Sequence, residues 1–305
     1  MDFKTVVSVS YDGTVQGWDV ESGEERFRYK HEQTVYGVYS VDVSSDGRWI
    51  ASGDEKGNIY LWDAVEGRVS NILQGHTSSY VLSLCFHPHM NILVSGSDDG
   101  TIKVWDIDTG REINILQKHT NCVSGVSFSV DGQWLASGSY DKSIIVWEVA
   151  TWIAHSTLRG HTDIVTSVSF HPEGHVLASG SYDKTVMVWD VATGTSLHTL
   201  IGHTECVTSI CYSGDGSMLA SGSVDKSIRL WDGSSYDCMR ILTSYTGCIN
   251  WICFNADSSI LASGSGDRTI KIWDPCSGEV LSTLQTHTSG VRSVCFRRSR
   301  AVALW

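Results

Sequence analysis

Seven tryptophans stand almost evenly along this chain. They are Trp18, Trp62, Trp105, Trp147, Trp189, Trp231 and Trp273, separated by 44, 43, 42, 42, 42 and 42 residues. Asp follows six of them, and Glu148 follows Trp147. A period this regular dictates a repeat architecture, in which one short supersecondary unit stacks on copies of itself. The unit reads as short strands. In the fifth copy these are VTSVSF, HVLASGS, TVMVWDV and SLHTLI, and turns of the Asp-Gly, Asp-Lys and Thr-Gly kind separate such runs along the chain. The runs are apolar or small almost throughout, with little in/out alternation, as expected of strands covered on both faces. One unit cannot cover both of its own faces, so neighbours must lie against it. The 29 glycines against 3 prolines suit many short strands and tight turns.

The interior of the unit is as regular as its period. Ten residues before each Trp stands Ser8, Ser52, Ser95, Ser137, Ser179, Ser221 or Ser263. Six residues before it stands Asp12, Asp99, Asp141, Asp183, Asp225 or Asp267, with Lys56 in the second copy. A His precedes most units: His31, His76, His119, His161 and His203. This pattern, GH…LASGSxDxT…WD, resembles the WD-repeat family over residues 5 to about 296. The resemblance implies an all-β fold, a closed seven-bladed β-propeller of four-stranded blades. It also implies a hydrogen-bonded set of His, Ser, Asp and Trp inside a blade. The sets are His76, Ser95, Asp99 and Trp105; His119, Ser137, Asp141 and Trp147; His161, Ser179, Asp183 and Trp189; and His203, Ser221, Asp225 and Trp231. Two copies depart. Lys56 replaces the Asp of repeat two, which also has three extra residues between His31 and Val43, and Tyr245 replaces the His of repeat seven. Both are expected to hold incomplete sets.

The ends of the chain complement each other. The first copy has no preceding His and begins at its second strand, while the stretch from His287 to Phe296 (HTSGVRSVCF) supplies a His and a first strand with no blade after it. The first blade is therefore expected to be shared between the termini, with His287 joining Ser8, Asp12 and Trp18. Closure removes the unpaired edges that an open ring exposes. An incomplete propeller that dimerises is the alternative. Residues 1–296 read as the propeller and 297–305 as a short basic tail with Arg297, Arg298 and Arg300, surplus to the ring and suited to a truncated longer chain.

His, Asp and Ser are also the members of a hydrolase triad. Repetition argues against that use, because an active site needs one constellation in one cleft. The sequence has no Gly-rich phosphate loop, G-x-S-x-G or H-E-x-x-H. His171, Glu173 and His175 read as a turn rather than a metal site. The nine cysteines form no C-x-x-C pair, and Cys85, Cys211, Cys253 and Cys295 recur one residue before an aromatic, as small packing residues would. No catalytic residue, cofactor or metal is expected. A formal net charge of −12 disfavours binding to phosphate backbones. With no secretory h-region, no long apolar run and no membrane span, the expected location is the cytoplasm or nucleus.

A protein-binding scaffold or adaptor remains, its propeller monomeric within a larger complex. In the family, the residue four before the aromatic of the first strand often points into the upper channel mouth. By register these residues are Tyr39, Leu82, Ser124, Thr166, Thr208, Asn250 and Arg292. Tyr39, Leu82 and Arg292 fall in adjacent blades once the ring closes, and Tyr36 adds to that side. Aromatics and Arg dominate binding hot spots, so a peptide or loop carrying an apolar anchor and an acidic group is the expected ligand. The alternative is that these side chains merely plug the channel. Alternative functions are a phospholipid- or nucleic-acid-binding propeller and a substrate receptor of a ubiquitin ligase. Some such receptors carry an Arg two residues after the WD pair, and no repeat here does.

Overall fold

Each repeat folds into an antiparallel meander whose strands we name a to d. In blade five these are Val165–Phe170, Val176–Ser181, Thr185–Asp190 and Ser196–Ile201. Small residues fill strand b, β-branched residues fill strand c, and the two pair with Leu177 opposite Trp189 and Ser179 opposite Met187. The b–c turn is fixed locally: Asp183 Oδ1 accepts the Thr185 N–H at 3.0 Å, and Lys184 takes a positive φ of 72°. The antiparallel order places all a–b and c–d turns on one face of the ring and all b–c and d–a turns on the other.

This computed structural model describes residues 5–297 apart from 32, 33, 35, 36, 78 and 286. Tyr36 and the tail beyond Arg297 lie outside the described residues. Seven four-stranded sheets form the ring. In blade one, strand a is Val291–Phe296, and strands b, c and d are Thr5–Ser10, Thr14–Asp19 and Glu25–Lys30. Strand a pairs antiparallel with strand b, placing Val6 opposite Phe296 and Ser8 opposite Val294. The termini therefore share this blade and the ring is closed.

The core is seven seams rather than one centre. Between blades four and five, Ile144, Val146 and Leu158 pack on Val165, Phe170, Leu177 and Trp189. The closing seam sets Ile270, Ile272 and Leu284 of blade seven against Val6, Trp18, Val294 and Phe296 of blade one. Trp105, Trp189 and Trp273 are almost fully buried, and a buried indole contributes on the order of 3–5 kcal/mol. The glycine of LASGS permits the approach of neighbouring blades. A Cβ on Gly180 would lie 2.7 Å from Val207 Cγ1, and one on Gly138 would lie 2.7 Å from Val165 Cγ1. Among the described residues no helix is long and apolar enough to cross a membrane.

Candidate functional site

A hydrogen-bonded chain runs through the middle of blade five. Trp189 Nε1–H donates to Ser179 Oγ at 2.8 Å, Ser179 Oγ lies 2.8 Å from His161 Nε2, and His161 Nδ1 lies 2.8 Å from Asp183 Oδ2. The indole can only donate, so the serine oxygen accepts from it, and the carboxylate can only accept, so His161 Nδ1 donates to it. The same links, at 2.7–2.9 Å, join the sets of blades three, four and six. In blade one His287 reaches Ser8 at 2.8 Å and Asp12 at 3.0 Å across the join of the termini, and Trp18 donates to Ser8 at 3.0 Å.

The environment keeps these groups structural. Ser179 is fully buried, and its oxygen is held between an indole and an imidazole, so it meets no substrate. Burial alone would raise the Asp183 carboxyl. Hydrogen bonds from His161 and Thr185 and the pull of the imidazole outweigh it and hold the group well below the ordinary carboxylate range. In blade six burial is likewise overcome by Ser227 and His203, which bring Asp225 to about 2. Burial lowers His203 despite the bond to Asp225, consistent with a neutral ring.

Blades two and seven solve the same problem differently. In blade two Asp54, two residues before the expected position, turns toward His31. Its Oδ2 stops 3.6 Å from Nδ1, which has no hydrogen-bond partner. In blade seven the Tyr245 hydroxyl replaces the imidazole, reaching Ser263 Oγ at 2.6 Å and Ser263 O at 2.9 Å. Trp273 still donates to Ser263 at 2.7 Å, but no link runs on to Asp267. Repeat seven is thus rewired at its serine and cut only at its aspartate.

The seven residues placed by register at the channel mouth do surround one depression, of about 60 Å³, together with Tyr140, Tyr182 and Trp251. They divide into two kinds. In blades four to seven the side chain staples its blade to the next: Ser124 donates to Val165 O, Thr166 to Val207 O at 2.8 Å, Thr208 to Ile249 O at 2.6 Å, and Asn250 to Val291 O at 2.7 Å. In blade two the neighbouring Ser40 makes that bond, to Val81 O at 2.8 Å. Tyr39, freed of the staple, packs edge-on against Tyr11 at 5.4 Å and Tyr80 at 4.9 Å between ring centroids. The Arg292 guanidinium lies 5.6 Å from the Tyr39 ring and 6.0 Å from the Tyr11 ring, within cation–π range. Leu82 completes this side. Tyr11 and Tyr80 escaped the register argument. A usable signal existed for Tyr11, because Tyr precedes the turn aspartate in three copies, as Tyr11, Tyr140 and Tyr182. Tyr80 lies just before strand a of blade three (Val81–Phe86) and has no such signal.

Six stretches match the family described as "WD domain, G-beta repeat": residues 25–63, 67–106, 110–148, 153–190, 194–232 and 236–274. Together they cover well over half of the chain. The chain belongs to the WD-repeat family. Each matched stretch runs from strand d of one blade through strand c of the next, so the WD-repeat unit is offset from the blade by one strand. This offset is what lets the last strand a close the first blade. Relatives match over shorter spans. The chain is 33% identical over 92 residues to Meiotic recombination protein rec14 of Schizosaccharomyces pombe, covering 30% of each chain. It is 29% identical over 85 residues to Cell division cycle 20.1, cofactor of APC complex, of Arabidopsis thaliana, covering 28% of this chain and 19% of that protein. It is 35% identical over 69 residues to Guanine nucleotide-binding protein subunit beta-5b of Danio rerio, covering 23% and 18%. The match thus spans 30% or less of these curated relatives.

Proposed function

We propose that this WD-repeat propeller is a non-catalytic platform for partner proteins, and that the corner of the channel mouth around Tyr39 and Arg292 is its contact. The observation that carries the reading is the asymmetry of the mouth. Four blades use this register for a hydrogen bond to the next blade, whereas blades one, two and three set Arg292, Tyr39 and Leu82 there, with Tyr11 and Tyr80 packed beside Tyr39. At about 60 Å³ the depression has room for a small side chain rather than a bulky one, so a partner segment lies across it. Tyrosines offer broad amphipathic contact at little entropic cost, and Arg292 suits a carboxylate beside an apolar anchor. Relatives whose names describe a complex cofactor and a protein subunit support an assembly role. No disulfide joins the nine cysteines, which suits the reducing cytoplasm or nucleus.

The test is Tyr39→Ala combined with Arg292→Glu, compared with the unaltered protein by affinity purification and mass spectrometry at matched expression and thermal stability. The expected result is loss of the partners that the unaltered protein retains. Retention of every partner by the folded double variant would refute the assignment.

A further inference from the structure

On the opposite face, between blades three and four, lies a cavity of about 600 Å³ walled by Met90, Ile92, Trp134, Val149 and Trp152. Its volume falls in the range of ligand-binding clefts. The c–d turn of blade four, Glu148–Trp152, forms one wall and breaks the family pattern twice. Five blades end this turn on a glycine in the left-handed region: Gly23, Gly67, Gly110, Gly194 and Gly278, with φ between 67° and 80°. Trp152 holds the same conformation at φ 56°, which is strained for a side chain of this bulk. The second break is Glu148. Its counterparts cap the turn, as Asp190 does by accepting the Thr193 N–H at 2.7 Å and Asp63 by accepting the Val65 N–H at 2.9 Å. Glu148 makes no such backbone bond. Among the described residues its carboxylate accepts only from Thr151 Oγ1, at 2.7 Å, and it stands exposed at the groove.

Blade six supplies an internal control. Tyr236 occupies the same turn position at φ 60°. Its hydroxyl lies 3.3 Å from that of Tyr212, and its ring is 4.8 Å from His198. Packing thus accounts for the aromatic there. Trp152 is also half-buried against the seam of blades three and four, its ring in edge contact with Phe128 at 6.5 Å, and it turns its remaining surface to the cavity. The rim is acidic. Asp131 and Glu148 are exposed, and no lining residue is Lys or Arg. His87 donates from Nε2 to Gly132 O at 3.1 Å and accepts from the Met90 N–H at 2.9 Å, and burial lowers its pKa, so it adds no positive charge.

We infer that this groove is a second docking site, separate from the channel mouth, for a partner segment in which an apolar side chain adjoins a Lys or Arg. The apolar group inserts beside Trp152 and Trp134, and the cation pairs with Glu148. The two sites then ask for opposite charges, acidic at the mouth and basic here, so one platform holds two partners without competition.

A phage-displayed library of random dodecapeptides is selected on the intact protein, and selected peptides are titrated by fluorescence polarisation against four further proteins: Trp152→Gly, Glu148→Lys, Tyr236→Gly and the Tyr39→Ala/Arg292→Glu variant. The expected peptides pair an apolar residue with Lys or Arg. Their affinity falls at least about tenfold in Trp152→Gly and in Glu148→Lys and holds in the other two. Trp152→Gly restores the turn residue of five other blades and melts no lower than the unaltered protein, whereas Tyr236→Gly melts lower. The inference is overturned if selection yields no such peptide or if Trp152→Gly and Glu148→Lys bind unchanged. It is also overturned if Trp152→Gly is destabilised as much as Tyr236→Gly, which would make Trp152 a packing residue only.

Discussion

Blades five and seven contain a matched pair of carboxylates that isolates the worth of the buried imidazole link. Asp183 accepts four hydrogen bonds: from the Thr162 N–H at 3.0 Å, the Thr185 N–H at 3.0 Å, Thr185 Oγ1 at 2.6 Å, and His161 Nδ1 at 2.8 Å. Asp267 accepts the same turn donors, from Thr246 N at 3.1 Å, Thr269 N at 3.1 Å and Thr269 Oγ1 at 2.6 Å, and a longer bond from the exposed Thr246 Oγ1 at 3.4 Å. It has no imidazole, because Tyr245 is committed to Ser263. Replacing either aspartate by Ala strips turn donors that lie near the surface and can find water, at about 1 kcal/mol. Only Asp183→Ala also orphans a donor inside the blade, since the His161 side chain is 1% exposed. An orphaned buried donor adds about 1–3 kcal/mol. Asp183→Ala is therefore expected to lose about 2–4 kcal/mol and Asp267→Ala about 1 kcal/mol. A ring of repeats need not unfold in one step, so the readout is native-state hydrogen exchange in strand c of each blade, Thr185–Asp190 and Thr269–Trp273. Equal losses in the two variants would refute the reasoning, for the imidazole link would then contribute nothing beyond the turn.

Acid should unravel the same networks. Hydrogen bonds from Ser227 and His203 overcome burial and hold Asp225 at about 2 in the folded protein, below the ordinary carboxyl value of 3.8. Its folded pKa is depressed, so its contribution of about 2 kcal/mol is present above pH 3.8 and is lost as pH falls toward 2. Urea midpoints measured across that window should fall less steeply for Asp225→Asn, and an unchanged slope would contradict the assignment. A Cβ on Gly180 would press on Val207 Cγ1 at 2.7 Å and Ile210 Cγ2 at 3.1 Å. Gly180→Ala should cost about 1–3 kcal/mol, seen as a lower melting temperature that Val207→Ala partly restores. A neutral Gly180→Ala would mean that the seams are looser than their contacts indicate.

The sequence by itself determined the number of blades, their strands, the closure of the ring and the complete relays. These are properties of a period and of hairpin register. Ser179 and Trp189 meet diagonally across one hairpin, where Ser179 faces Met187 and Trp189 faces Leu177, and even the bond between His287 and Ser8 follows from counting which blade lacks what. Departures from the period were visible, but their outcome was not. Asp54 substitutes weakly for an aspartate at position 56, and Tyr245 reaches the serine but not the carboxylate, because side-chain length and direction decided what each could touch. What only the tertiary structure decided lies between blades. The staples of Thr166 and Thr208, the packing of Tyr11 and Tyr80 around Tyr39, and the groove beside Trp152 all join residues about one repeat apart or across the closed ring. The angle at which one sheet meets the next sets those contacts, and no spacing along a single strand encodes that angle.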